Sequence, residues 1–413
     1  MTKQIRTISG ARRRLAGFYV ITFLVLLGAA STVKAAEWRF EPVVRVAGDF
    51  DDNPYLSIRA DEATSETGYI LEGSLEVGYA SERSTFDIRP TLRRRDYGSD
   101  SDLNSDDQFL YMNFNHDTVS TNFRVNARYD RESVRTAERA DTDLDVDDPD
   151  DIFDDDSGRV LLRGRRERVR VTPSFTWHAS DASSVNMLVS YTDTQFDEDV
   201  GLLLTDYTDT RFNISYRRAW SPRFTALVTG TYRNYQTEQG ANEINGAGLS
   251  FGIDRRMTEA SRLRFSIGYE NTEVDGIDDV LEPVANLSYV RSQKTTTLLA
   301  QYRRSIAASG AGSLGVRDSI NLNFTRRLSE KISAGIGARV YTTNAIDETI
   351  ALLNEREYVQ LRARFTWHMT PTFSLQTDYR YTFIDREQLG ESANANQVTV
   401  WLNWTPTPMV RSR

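Results

Sequence analysis

Guanidinium groups recur at every second position in several stretches of this sequence, as in Arg168 and Arg170 and in Arg362 and Arg364. Only four of the 50 basic residues are Lys. A guanidinium group stays charged at physiological pH and holds carboxylates through a planar fork of donors. Fixed cations of this kind along one face of a protein predict a path that attracts anions.

The predicted anion path consists of arginines that alternate with apolar residues, because such arginines share one face if these stretches are β-strands. They are Arg45, Arg89, Arg93, Arg124, Arg128, Arg168, Arg170, Arg217, Arg264, Arg339, Arg362, Arg364 and Arg380. Fewer acidic residues share that face, namely Glu41, Glu72, Glu76, Asp87, Asp130, Asp254, Glu270 and Asp378. An alternative stays open, in which each arginine pairs with a carboxylate of a neighbouring strand and only stabilises the sheet.

The other groups that could do chemistry are sparse. His116, His178 and His368 each fall at or beside a predicted short turn, too far apart to form one catalytic or metal site. A Ser-His-acid hydrolase needs a histidine within hydrogen-bonding reach of a serine and an acid, and no serine here is marked for that role. We therefore predict no enzymatic activity, no cofactor and no metal site.

Ten Asp residues lie between Asp141 and Asp156, and their start, Asp141-Thr-Asp143-Leu-Asp145, resembles a calcium loop. The match ends there, because Val146 stands where that loop requires Gly and Ile152 where it requires Glu. The run predicts a solvated loop kept open by charge repulsion, with loose binding of Ca²⁺ as the alternative.

The elements that would position the arginines are strands of alternating polarity. In Asn122 to Asp130, four apolar residues alternate with five polar ones, and the pattern returns at Ser319 to Thr325 and Tyr358 to Thr366. A period of two predicts a strand with one apolar and one polar face. A soluble β-sandwich would turn the polar face to water, whereas a membrane barrel turns it to a lumen.

About eighteen such segments follow Ala36, and their connections alternate between short and long. Short turns such as Ser81-Glu82-Arg83 are followed by long polar connections such as Gly98 to Asp107. Outer-membrane barrels have short periplasmic turns and longer outer loops. We therefore predict an all-β protein, a transmembrane antiparallel up-and-down barrel of about 18 strands. The rhythm differs from a propeller, whose blades need four strands with comparable turns.

Tryptophan repeats at the predicted short turns, in the near copies Phe175 to Ser180 and Phe365 to Thr370. Such amphipathic rings favour a membrane boundary, so Trp177, Trp220, Trp367 and Trp404 are predicted boundary residues. Tyrosines near the other strand ends would form the opposite girdle: Tyr129, Tyr191, Tyr232, Tyr269, Tyr341 and Tyr381.

The N-terminal 35 residues combine a basic start, an apolar run from Leu15 to Ala30 and the small residues of Val33-Lys34-Ala35. This composition predicts a cleaved signal peptide (1–35) followed by one barrel domain (36–413). A single membrane anchor is the alternative, although the run is shorter than the roughly 20 residues that a span needs. Residues 1–35 hold six basic and no acidic side chains, which leaves a charge near −15 for the rest and argues against nucleic acid as a partner. The absence of Cys means that no disulfide closes the fold.

Two stretches resemble the β-barrel porins encoded beside bacterial exopolysaccharide genes. One is Glu41 to Asn53, which ends in Asp51-Asp52-Asn53, and the other runs from Trp220-Ser-Pro-Arg223 to Tyr232. The resemblance implies passage or anchoring of a secreted polysaccharide at the outer membrane. The arginine-rich face is also similar in kind to that of the alginate-export porin, an eighteen-stranded barrel. In contrast to the usual terminal aromatic residue of outer-membrane barrels, the chain ends in Arg413, nine residues after Trp404.

These observations predict an outer-membrane conduit for an anionic solute, with an acidic exopolysaccharide as the expected cargo. The expected partners are outer-membrane lipid and lipopolysaccharide, the polysaccharide substrate and the barrel-assembly machinery. A non-conducting scaffold barrel of a polysaccharide secretion system is the alternative, and inward-folded loops that plug the lumen would favour it.

Overall fold

The computed structural model describes residues 36–57, 63–98, 101–137, 139, 144, 164–197, 204–237, 243–274, 279–309, 313–346, 356–386 and 391–412. The proposed signal peptide, residues 1–35, lies outside the described residues. The same is true of all ten Asp residues between Asp141 and Asp156, so their predicted solvation stays a prediction.

Alternating sequences form long antiparallel strands throughout the described chain. They are β1 (Glu37–Asp51), β2 (Glu66–Ala80), β3 (Ser84–Asp96), β4 (Ser105–Asp117), β5 (Thr121–Ser133), β6 (Arg165–Ser180), β7 (Ser183–Phe196), β8 (Tyr207–Ser221), β9 (Phe224–Thr237), β10 (Glu243–Thr258), β11 (Ser261–Val274), β12 (Val280–Ser292), β13 (Thr296–Ser309), β14 (Ser313–Arg327), β15 (Ile332–Ala345), β16 (Arg356–His368), β17 (Phe373–Arg386), β18 (Glu391–Trp404) and β19 (Met409–Ser412). Each of β1 to β17 pairs with the next strand, and β1 also pairs with β18, which closes the sheet.

The short β19 continues β18 and is not a nineteenth strand of the barrel wall. Val44 of β1 pairs with Trp404, the last residue of β18, and Phe40 pairs with Met409, the first residue of β19. The pairing with β1 is interrupted at residues 405–408, which include two prolines, since Pro cannot donate to a strand ladder. The predicted barrel of about eighteen strands is confirmed.

The alternation places apolar side chains outside and polar side chains inside the barrel. On β8, Phe212, Ile214 and Tyr216 are 40%, 41% and 43% exposed, whereas the intervening Ser215 hydrogen-bonds across the inner face to Thr229 at 2.8 Å. A closed antiparallel sheet has no unpaired edge, and an apolar outer belt suits it to hydrocarbon. The protein is a β-barrel of the bacterial outer-membrane type.

One end of the barrel carries the short turns, and the predicted boundary tryptophans lie beside them. Trp177, Trp220, Trp367 and Trp404 are 50%, 69%, 43% and 40% exposed on the outer surface. The tyrosine girdle at the other end was predicted less well. The prediction that Tyr341 belongs to this girdle is wrong. Its side chain faces the interior, is 1% exposed and stacks on Tyr358 with ring centroids 5.0 Å apart. It shares the inward register of Arg339, two residues earlier on β15.

The long-connection end is narrowed from inside. Leu56, in the connection after β1, packs in a buried cluster with Tyr341, Tyr358 and Ile384 of the inner wall. On the other side, the inward-facing Arg233 of β9 donates a hydrogen bond to the backbone oxygen of Ile306 on β13 at 2.9 Å. Since three strands separate β9 from β13, this contact lies inside the barrel and passes over β10 to β12.

The sequence predicted no helix, and the structure has a single turn of helix within the residues it describes, α1 (Val134–Ala137). No helix among the described residues is long and apolar enough to cross a membrane. The α1 turn follows β5 directly and lies inside the barrel, where Val134 is fully buried against Leu204. Leu144, further along this connection, is also buried.

Candidate functional site

The barrel encloses a cavity of about 840 Å³ that is rich in arginine. Its lining residues come from β1 to β6, from α1 and its surroundings, and from β14 to β18. Among the described residues, five carboxylates line it, namely Glu41, Glu72, Glu76, Glu132 and Asp378. Thirteen arginines line it: Arg45, Arg89, Arg93, Arg95, Arg128, Arg135, Arg139, Arg166, Arg168, Arg339, Arg362, Arg364 and Arg380. The cavity therefore carries a large positive excess inside an acidic protein.

Nine of the thirteen residues predicted for the anion path line this cavity, as do four arginines outside that prediction. Arg124, Arg170, Arg217 and Arg264 share the inward register of their strands but do not line the cavity. Arg170 donates a hydrogen bond to the Thr192 hydroxyl at 3.3 Å. Arg264 approaches Asp254 at 3.8 Å.

On the wall formed by β1 to β4, one carboxylate serves two arginines. Glu72 lies between Arg45, at 3.2 Å, and Arg93, at 2.7 Å. Glu76 is 3.9 Å from Arg89. Part of the arginine set is therefore ion-paired across strands, as the alternative interpretation predicted, but the pairing is not one to one.

Aromatic rings support the same three arginines. The guanidinium carbon of Arg45 lies 4.5 Å from the centre of the Trp401 ring, that of Arg93 lies 4.9 Å from Phe109, and that of Arg89 lies 5.7 Å from Tyr111. Each contact attracts the cation to the ring face and uses none of its N–H donors. Stacking thus fixes these cations in place while leaving hydrogen-bonding capacity for a ligand.

On the opposite wall, Asp378 receives hydrogen bonds from Arg362 and Arg364, both at 2.9 Å. Arg362 lies directly opposite Arg380 on the next strand. Like charges in that position destabilise a sheet. Arg380 donates to the neutral amide oxygen of Gln397 at 3.0 Å. Two of these three arginines thus share one carboxylate, and the third donates to an amide.

A third cluster is largely structural. Asp130 is fully buried and forms ion pairs with Arg128 at 3.1 Å, Arg168 at 3.2 Å and Arg166 at 3.4 Å. A buried carboxylate is stable only with such partners. The cluster also links β5 to β6 from inside the barrel.

Sequence reasoning missed two kinds of cavity residue. Arg166 precedes Arg168 and Arg170 in the same alternation, so the signal was present. Trp401 shares the inward register of Thr399 and could have been found in the same way. Arg135 and Arg139 belong to the connection after β5, and strand periodicity gives no information about such residues.

The histidines form no shared site. His116 hydrogen-bonds to the Ser84 hydroxyl at 2.8 Å, whereas His178 and His368 lie near the ends of β6 and β16. Across the part of the chain that the structure describes, no group of three or more His, Asp or Glu side chains could hold a metal ion.

No protein-family model matches this chain, and no curated protein matches it either. Solved structures with similar architecture include the following three. Acinetobacter baumannii OccAB4 is 11% identical with a TM-score of 0.46, over 92% of this chain and 99% of that one. A BenF-like porin from Pseudomonas fluorescens Pf-5 is 10% identical with a TM-score of 0.48, over 91% and 100%. The outer membrane channel DcaP of Acinetobacter baumannii is 10% identical with a TM-score of 0.43, over 90% and 97%. With such low values, these proteins give no information about the function of this chain.

Proposed function

We propose that this protein is a passive outer-membrane conduit for anionic solutes. The observation that supports this most directly is the cavity lining, in which thirteen arginines face five carboxylates among the described residues. A positive wall inside a low-dielectric shell raises the local concentration of anions. The proposal includes no chemical transformation of the solute.

The distribution of the arginines supports movement along the lumen rather than tight capture. Arg45 and Arg93 stand on the β1 to β4 side of the cavity, and Arg362 and Arg380 stand on the β16 to β17 side. Conduction requires sites that are attractive enough to enter and weak enough to leave. Several arginines that already share carboxylates meet this requirement, because each offers an anion only part of its charge.

Within this class, we propose an acidic exopolysaccharide as the cargo. The resemblance of Glu41 to Asn53 and of the Trp220 region to exopolysaccharide-associated porins supports this choice. A volume of about 840 Å³ is also in the range of sites that hold ligands of several rings. Carboxylates of uronate residues would pass from one guanidinium group to the next.

Planar-bilayer recording tests both levels of the proposal. The purified protein in a KCl gradient is expected to show a reversal potential on the anion-selective side. A cation-selective pore would refute the anion conduit. For the cargo, oligouronides added to one side are expected to block the current, whereas neutral oligosaccharides of equal length are not. Equal block by both would leave an anion pore and refute the acidic cargo.

A second candidate is a non-conducting scaffold barrel for polysaccharide machinery. The inward packing of Leu56, of the Ile306 region and of α1 favours it, because these contacts narrow the long-connection end. This candidate predicts no conductance in bilayers and no uptake of small anions by proteoliposomes. Any stable single-channel current would contradict it.

A further inference from the structure

The tripeptide Asp51-Asp52-Asn53 ties the end of β1 to β18, and we call these three residues the clasp. Asp52 accepts hydrogen bonds from the backbone nitrogen of Asn396 at 2.6 Å and from its side-chain Nδ2 at 2.8 Å. Asn53 donates from its Nδ2 to the backbone oxygen of Asn394 at 2.8 Å. Because β1 and β18 come from opposite ends of the described chain, no hairpin turn holds them in register. The clasp supplies side-chain contacts at that seam.

The clasp also turns the following residues into the barrel. The Asn53 side-chain oxygen accepts from the backbone nitrogen of Ser57 at 2.9 Å, and Leu56 adopts a φ of 47°. That left-handed conformation is uncommon for a branched apolar residue. It is maintained here because Leu56 packs against Tyr341 and Tyr358 on the inner wall.

A second part of the chain, the connection after β5, reaches the clasp inside the barrel. It starts at α1, where the Thr136 hydroxyl accepts from Arg95 at 3.1 Å and the backbone oxygen of Ala137 accepts from Arg166 at 2.9 Å. The guanidinium carbon of Arg135 lies 6.0 Å from the centre of the Tyr97 ring. The segment therefore leaves β5 and passes over the end of β3 inside the wall.

Tyr97 connects this crossing to β1. Its hydroxyl donates to Asp49 at 2.7 Å, and burial, followed by the charge of Asp49, raises the pKa of the Tyr97 hydroxyl well above its usual range. The hydroxyl is thus held as a donor to the Asp49 carboxylate. Asp49 also accepts from the Thr399 hydroxyl of β18, so it belongs to the same seam.

The crossing ends in a buried ion pair with the clasp. Arg139 donates from Nη1 to Asp51 at 3.1 Å, and the two side chains are 5% and 1% exposed. Three strands separate β5 from β1 in the wall, so this contact spans part of the interior. Removal of one member of a buried ion pair leaves the other charge without compensation.

We propose that Asp51 is a positioning residue for conduction: it holds Arg139 beside the end of β1, so that Arg135 and Arg139 keep their places in the cavity lining. Both arginines line the cavity. The effect on ion selectivity rests on the proposed anion conduit, whereas the docking itself does not. The residues Asp51-Asp52-Asn53, which belong to the stretch that resembles exopolysaccharide-associated porins, thus have a structural role where β1 meets β18.

Asp51→Asn tests the effect on conduction. Asparagine keeps an oxygen that can accept from the Asn53 backbone nitrogen, as Asp51 does at 3.1 Å, but loses the ion pair. We expect the anion-to-cation permeability ratio to fall by about twofold and the open-channel noise to rise. Arg139→Gln should act in the same direction. The exchanged pair Asp51→Arg with Arg139→Asp should return the ratio toward that of the wild type.

Asp209→Asn is the matched control for general loosening. Asp209 is another buried carboxylate with arginine partners, but neither it nor those partners line the cavity. It should lower thermal stability and leave the permeability ratio unchanged. If Asp51→Asn keeps the wild-type ratio, or if Asp209→Asn lowers the ratio equally, the proposed role of Asp51 is refuted.

A double-mutant cycle tests the docking without reference to selectivity. Asp51→Asn, Arg139→Gln and the double variant are unfolded with urea in detergent micelles. Because the two side chains form one buried contact, the double variant should lose much less stability than the sum of the two single variants. The matched control, Asp51→Asn with Arg211→Gln, joins residues with no shared contact and should be additive. Additive losses in the first pair would overturn the docking, even if the pore proved anion-selective.

Discussion

Two pairs of directly opposed arginines, one on each side of the barrel, differ in the groups that they contact. Arg211 faces Arg233 across β8 and β9, and Arg362 faces Arg380 across β16 and β17. Asp209 accepts from both members of the first pair, from Arg233 at 2.8 and 3.0 Å and from Arg211 at 3.1 Å. In the second pair, Arg362 shares Asp378 with Arg364, and Arg380 donates to an amide.

The two pairs also differ in their surroundings. Arg233 is 2% exposed and also donates to the backbone of Ile306, whereas Arg362 and Arg380 line the cavity. A guanidinium group whose donors all meet the protein is part of the wall. The proposed conduit assigns the attraction of anions to the guanidinium groups that line the cavity. The number of arginines is therefore less informative than how many carboxylates they share.

The largest effect is expected when the pair Arg211 and Arg233 loses the carboxylate of Asp209. Asp209→Asn should destabilise the barrel by about 3–5 kcal/mol, because it leaves the buried Arg233 without compensation. The loss would be measured as a shift in the urea midpoint of unfolding in detergent micelles or liposomes. A stability equal to that of the wild type would contradict the structural role of this pair.

Loss of charge from the cavity-lining pair should change ion selectivity and leave stability nearly unchanged. Arg362→Gln with Arg380→Gln should lower the anion-to-cation permeability ratio by about threefold and change the urea midpoint little, since it also removes a repulsion between opposed charges. Reversal potentials in a KCl gradient measure the ratio. If Arg233→Gln lowered the ratio by the same factor, the difference between the two sides would disappear.

The aromatic supports of the cavity should have a smaller effect. Trp401→Leu removes the ring over Arg45 and should cost about 0.5–1 kcal/mol for the lost cation–π contact, beyond the change in packing. A double-mutant cycle with Arg45→Gln isolates that contribution through urea unfolding. A coupling energy near zero would mean that the ring does not hold the guanidinium group in place.

The smallest effect is expected from ionic strength, which should change ion selectivity more than it changes stability. Raising salt from 0.1 to 1 M shortens the Debye length from about 10 Å to about 3 Å, so selectivity that depends on the cavity arginines should decline. The stability contributed by the buried Asp209 pair should change far less, because water and ions are excluded from it. Recording the permeability ratio and the unfolding midpoint over one salt series compares both directly.

The alternation of side chains was sufficient to predict the strands, the closure into a barrel and the face on which each arginine lies. Inward register follows from a period of two, and the tryptophans at the short turns needed only their amphipathic character. Tyr341 was assigned from its position near a strand end, although its register with Arg339 already placed it inside.

What the sequence could not provide was contact across the lumen. Arg135, Arg139 and Leu56 lie in connections where no periodicity applies, and they enter the interior because of tertiary packing. Charge sharing was equally hidden, since the roles of Asp209 and Asp378 depend on which guanidinium groups reach them. The interpretation in which arginines pair across strands describes part of this molecule, whereas the anion path stays a prediction for the arginines that line the cavity.

The meeting of β19 with β1 has a consequence for engineering. Glu37 and Ser412 are partners on adjacent strands, so the two ends of the described chain could be joined by a short peptide and the chain reopened in another hairpin. Every strand of such a circular permutant would keep its neighbours. In a closed barrel, the position of the chain termini can therefore be changed without changing which strands pair.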